Sequence, residues 1–116
     1  MEVVPFITSE DDDPDLVVSF GLGPSASKSL TLIRTPEYDS LLDEDERGVS
    51  VGTGARKGFE RELLLVVRWK KGAVEINTTK RAYALNHTNV DAEEIIEAKR
   101  IINLMNFDLR FEIHDA

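Results

Sequence analysis

Four groupings in this chain have residue types and spacings that suggest chemistry, and each lacks part of what that chemistry needs. The run Gly21-Leu22-Gly23-Pro24-Ser25-Ala26-Ser27-Lys28-Ser29 resembles a phosphate loop. Counting back from Lys28-Ser29, however, Leu22 and Ser27 stand where the glycines belong, and a strand is expected next. A phosphate needs the N-terminus of a helix there. The second glycine-rich run, Gly52-Thr53-Gly54-Ala55-Arg56-Lys57-Gly58, is one residue off the dinucleotide spacing and is also followed by a strand. It reads as a hairpin connection, with Arg56 and Lys57 available to an anion. Asp43, Asp45 and Gly48 occupy positions 1, 3 and 6 of a calcium-loop pattern. Position 5 is Arg47, a cation, and position 12 is Gly54 instead of a bidentate glutamate.

The fourth grouping is the 2 histidines, and there is no cysteine. His87 is expected in a polar surface turn and His114 on the outward face of the last strand. The missing thiols exclude a disulfide framework, a thiolate metal site and a thiol nucleophile. No catalytic residue, cofactor site or metal ligand is therefore assigned, and the reading is non-enzymatic.

Charge is the stronger signal. Residues 1–58 carry 12 acidic and 5 basic side chains, whereas residues 59–116 carry 10 and 9. The excess lies in Glu10-Asp11-Asp12-Asp13-Pro14-Asp15 and in Asp39-Ser40-Leu41-Leu42-Asp43-Glu44-Asp45-Glu46. A net charge of −8 repels nucleic-acid phosphates and favours partners with basic surfaces. Tyr38 adjoins the second acidic segment, and buried aromatics carry much of the energy of protein interfaces. The candidate partner-binding residues are thus Tyr38, Asp39, Asp43, Glu44, Asp45 and Glu46. No apolar run reaches the roughly 20 residues that span a bilayer, and the start lacks a signal-peptide pattern. A cytoplasmic protein with no membrane partner is expected.

The elements that must position these residues follow from periodicity. Val3–Ile7 reads as an edge strand limited by Pro5. Period-2 strands are expected at 15–21, 29–34, 49–51, 73–77 and 81–85, with a turn of helix in the second acidic segment. The apolar run 62–69 suits a central strand covered on both faces, and Lys70-Lys71-Gly72 a three-residue hairpin loop. The period changes to 3.6 over about 91–105, where Asp91 begins a capping-box arrangement and Ile95, Ala98, Ile102 and Met105 form a stripe widened by Ile96 and Ile101. Phe107, Leu109, Phe111 and Ile113 then alternate as the inward side of a final strand. The expected architecture is one α+β domain over 1–116, a mainly antiparallel sheet with the 91–105 helix packed on one face.

One layout has a family resemblance. Ser29-Leu30-Thr31-Leu32-Ile33-Arg34-Thr35-Pro36-Glu37-Tyr38-Asp39, continuing through Asp43-Glu44-Asp45-Glu46-Arg47-Gly48, places a Leu-x-Leu-x-Arg strand before an acidic segment ending in glycine. It resembles the small acidic immunity proteins encoded beside bacterial polymorphic toxins. That resemblance implies stoichiometric neutralisation of a toxin domain, without catalysis, by an acidic surface facing a basic one. The alternative is a small domain of unknown function that works in an assembly or as a homo-oligomer, through the outer edge of its sheet.

Overall fold

Pro5, which has no N–H to give to a ladder, divides the first apolar stretch into two short strands of different sheets. A computed structural model describes residues 1–12, 15–23, 28–53 and 62–115. β1 (Glu2–Val3) ends before the proline and β2 (Ile7–Glu10) begins after it. β2 pairs with β3 (Leu16–Leu22), which pairs with β4 (Lys28–Arg34), which pairs with β5 (Ser50–Thr53), forming a four-stranded sheet that is antiparallel throughout. Between β4 and β5 the chain makes a four-residue helix, α1 (Pro36–Asp39), and a 3-10 turn at Glu44–Glu46. The second acidic segment therefore holds helical turns, as its composition suggests.

The second sheet is built on the hairpin of β6 (Leu64–Lys70) and β7 (Ala73–Thr78), continued by β8 (Ala82–Asn86). Lys70 pairs with Ala73, so the loop has two residues, Lys71 and Gly72, with Gly72 supplying the positive φ the turn requires. After β8 comes α2 (Ala92–Met105) and then β9 (Glu112–Asp115). β1 and β9 join the two edges in parallel, giving the order β1-β8-β7-β6-β9. The protein is thus α+β, as its periodicities imply, with its strands divided between two sheets.

One apolar core serves both sheets and the helix. Val18, Phe20, Leu30 and Leu32 enter it from the first sheet, and Val67, Trp69, Val74, Ile76 and Leu85 from the second. Two seams stitch the sheets together. At one, the backbone N–H of Gly23, just after β3, donates to the Val3 carbonyl of β1. At the other, Val51 donates to Glu62 and Leu64 to Val49, again between backbone groups. β6 is not covered on both faces as its apolar run suggests. A bulge between Leu64 and Val66 resets its alternation, and Leu65 faces solvent.

α2 packs against β2 and β3 through Ala98, Ile101, Ile102 and Met105. Ile96, expected to widen this stripe, is exposed instead. Asp91 stands at the N-cap, but its side chain makes no cap bond; its backbone carbonyl accepts from Glu94 and Ile95. Glu94 does not turn back to complete a capping box. Its Oε1 accepts the N–H of Ile7 at 2.8 Å and fastens the helix to β2. The final strand is also shorter than its alternation implies. Residues 106–111 form a turn, so Phe107 and Leu109 face solvent and only Phe111 and Ile113 pack inward. Leu109 has a φ of 57°, and a left-handed residue cannot continue an extended strand.

Two truncations test this placement of α2 in a urea titration. Ile102→Ala empties part of the core and is expected to lower stability by about 2–5 kcal/mol. Ile96→Ala changes only the solvent face and is expected to stay within about 0.5 kcal/mol of the parent. Equal costs at the two positions would show that the helix is rotated from this packing.

Candidate interaction surface

Arg34 is in phase with Leu30 and Leu32, which β4 turns toward the core, and so its side chain is directed inward and fully buried. A charge taken from water must be paired and hydrogen-bonded, and the guanidinium uses its whole fork. Nε donates to Asp39 Oδ2 at 2.8 Å, and Nη2 lies 2.6 Å from the same oxygen. Nη1 and Nη2 reach Asp108 Oδ1 and Oδ2 at 2.8 and 2.7 Å, the bidentate geometry that arginine offers a carboxylate. Nη1 also donates to the carbonyl of Met105 at 2.7 Å. That oxygen is among those left without an intrahelical partner at the end of α2, where a cation is also favoured by the helix dipole. The centre of the Phe107 ring lies 4.1 Å from the guanidinium carbon, completing the enclosure.

A second arginine ties the same two segments together nearer the surface. Arg110 Nε donates to Asp108 Oδ2 at 2.7 Å, while Nη1 and Nη2 reach the carbonyl and the carboxylate of Glu44 at 2.9 and 3.1 Å. Segment 36–48 and turn 106–111 are therefore one unit, joined by two cations with Asp108 shared between them. Burial pulls the Arg34 pKa down, but its bonds to Asp108 and Asp39 outweigh this and leave it above its ordinary value. The hydrogen bond from Arg34, supported by that from Arg110, holds the Asp108 carboxyl at about 2 against the opposing effect of burial.

This unit places each of the expected partner-binding residues. Tyr38 is 53% exposed, and Asp43, Glu44, Asp45 and Glu46 are all on the surface. Asp39 is buried beneath them with its carboxylate committed to Arg34, so it positions the segment from below. Leu41, at 78% exposure, joins Tyr38 outside. Phe107 and Leu109 flank the same unit from the other segment. Periodicity missed them because it read them as inward. Arg34 did carry a signal, since a charged residue on the core side of a strand demands carboxylates from elsewhere in the chain.

Other chemistry-bearing residues are accounted for locally. His87 is buried instead of exposed, with Nε2 at 3.1 Å from the Ala73 carbonyl and its ring against Trp69. Glu62 is a second buried carboxylate, whose Oε2 accepts from the Thr78 and Tyr83 hydroxyls. A cleft of about 700 Å³ opens nearby between the sheets, lined by Leu22, Lys28, Ser29, Thr53, Tyr83 and Leu85. Among the described residues no cluster of His, Asp and Glu is arranged to hold a metal ion, and no helix is long and apolar enough to cross a membrane. Pro24, Ser25, Ala26 and Ser27 of the first glycine-rich loop, like Gly54, Arg56 and Lys57 of the second, lie outside the described residues. Comparison with protein-family models, characterised proteins and solved structures finds no match.

Arg34→Ala strips Asp39 and Asp108 of their shared cation and is expected to cost about 3–5 kcal/mol in denaturant unfolding. Asp108 has a pKa depressed from 3.8 to about 2 in the folded protein, so its contribution is fully present above the ordinary value and is lost as pH falls toward 2. The stability advantage of the parent over Asp108→Asn is therefore expected to be constant near neutrality and to shrink between these two values. A difference that does not change with pH would show that Asp108 is not held ionised by the arginines.

Proposed function

We propose that this is a non-enzymatic protein-binding domain that attracts a basic partner through the acidic face carried by segment 36–48. One observation carries the reading: large apolar side chains, Tyr38 and Leu41, stand exposed beside four surface carboxylates. Solubility alone accounts for the charges, but not for exposed apolar groups among them. Carboxylates around apolar contacts suit a partner that is basic and partly apolar, because steering brings the surfaces together and desolvated contacts then hold them. The toxin-neutralising role implied by the immunity-protein resemblance has this logic, since a nuclease toxin presents a basic substrate-binding surface. In that role the domain acts stoichiometrically as a plug, in the cytoplasm of a bacterium.

A basic protein encoded by the adjacent reading frame is the partner to test, by co-expression and surface plasmon resonance across a salt series. Association is expected to slow steeply with salt. Asp43→Lys combined with Asp45→Lys is expected to slow it by about tenfold at low salt, with little change in dissociation. Glu44 is left intact in that variant because it also holds Arg110. Unchanged association of the double variant with a partner that does bind would reject the acidic-face mechanism.

A second reading rests on the outer face of α2, where Ile96 and Leu104 are exposed. It makes the domain a homo-oligomer. Light scattering separates the two readings: a dimer insensitive to salt and lost in Ile96→Glu supports the second.

A further inference from the structure

The turn after α2 is inside out relative to ordinary surface loops. Its polar groups are engaged internally, while Leu109 projects into solvent and Phe107 covers Arg34 with one part of its ring and leaves the rest exposed. Leu109 N–H donates to the Asn106 carbonyl at 3.1 Å, closing the turn. The Asn106 side chain donates to the Phe111 carbonyl and accepts from the Phe111 N–H, at 3.0 and 3.3 Å. Asp108 is fixed by both arginines. Yet Phe107 is 56% exposed and Leu109 82% exposed. Leu109 also holds a φ of 57°, which costs a leucine far more than it costs asparagine or glycine. Strained, rigidly held, exposed apolar residues are a pattern of recognition sites, where ordering has been completed before the partner arrives.

We infer that Phe107 and Leu109 are the apolar anchors of the acidic face and that the segment they receive is a cationic amphipathic stretch of another protein. The inference rests on the protein-binding reading above and names the chemistry of its partner. Segments 34–48 and 106–111 together carry seven carboxylates against three arginines. Arg110, the neighbour of Leu109, binds Glu44 directly, so the turn that carries the apolar anchors is fastened to the acidic segment. Apolar side chains of the incoming segment cover Phe107 and Leu109, while its lysines or arginines meet Asp43 and Asp45. A second copy of this chain is a poor occupant, because the face would meet its own excess of negative charge.

The probe is a short helical peptide of leucine and lysine with separated faces, compared with an oligolysine of equal charge and a leucine–glutamate peptide of the same pattern. Binding is followed by calorimetry and by backbone amide shifts. The leucine–lysine peptide is expected to bind at least about tenfold more tightly than oligolysine and to shift residues 43–46 together with 107 and 109. Leu109→Asn, which suits the left-handed backbone and so preserves the fold, is expected to weaken that peptide by about tenfold and leave oligolysine unchanged. If the peptide shifts residues 43–46 alone and Leu109→Asn binds it like the parent, the anchors are wrong while the acidic face stands. Equal binding of the leucine–glutamate peptide would overturn the charge complementarity. Failure of both cationic peptides would remove the acidic face and the anchors together.

Discussion

A guanidinium cannot leave water without a full set of acceptors, and the position of Arg34 imposes that condition on an entire end of this molecule. β4 delivers the side chain to the core side, so acceptors have to be brought to it. They come from α1 through Asp39, from the end of α2 through the Met105 carbonyl, and from the following turn through Asp108. Each acceptor fixes the piece of backbone that carries it. The acidic segment is thereby anchored at its helical start, and the chain leaving α2 is bent away from a strand path toward the arginine. Burial of an ion pair is weak evidence for net stability. What the pairing supplies here is placement, because one cation holds three segments together.

The same geometry explains how a crowded acidic segment can keep a fixed shape. Asp43, Glu44, Asp45 and Glu46 repel one another, and a free loop would relieve that repulsion by spreading. Arg110 holds Glu44 from one side, and Arg47 donates to the Leu42 carbonyl within the segment itself. Cations beneath and beside the carboxylates lower the cost of keeping them close, while leaving an outward face that is still strongly negative. Fixed charge and fixed apolar groups are the requirements of a surface that binds without first ordering itself.

Much of the architecture could be read from periodicity. The α2 stripe, the β6–β7 hairpin and the alternation of β3 and β4 are local patterns, and local patterns survive in the fold. Three features were hidden because they depend on contacts distant in sequence. The division into two sheets follows from β1 pairing with β8 while β2, just beyond Pro5, pairs with β3. Glu94 looks like half of a capping box until Ile7 is seen to offer it an N–H. Phe107 and Leu109 alternate correctly for a strand, yet the arginines and Asn106 turn the backbone before a strand begins. Among the expected site residues, Tyr38 and residues 43–46 lie at the surface as their polarity implies. Asp39 does not, because the nearest buried cation claimed it.

Arg34 and its partners at Met105 and Asp108 are separated by 71 and 74 positions along the chain. During synthesis, then, the acidic segment emerges long before the groups that shape it. A nascent chain carrying β4 and α1 but lacking α2 has an arginine without its bidentate carboxylate, and an acidic stretch with only part of its scaffold. The face takes its shape only when α2 and the turn behind it have left the ribosome and docked. The shape of the surface is thus tied to completion of the fold, and a product truncated before α2 would carry the charges without the surface.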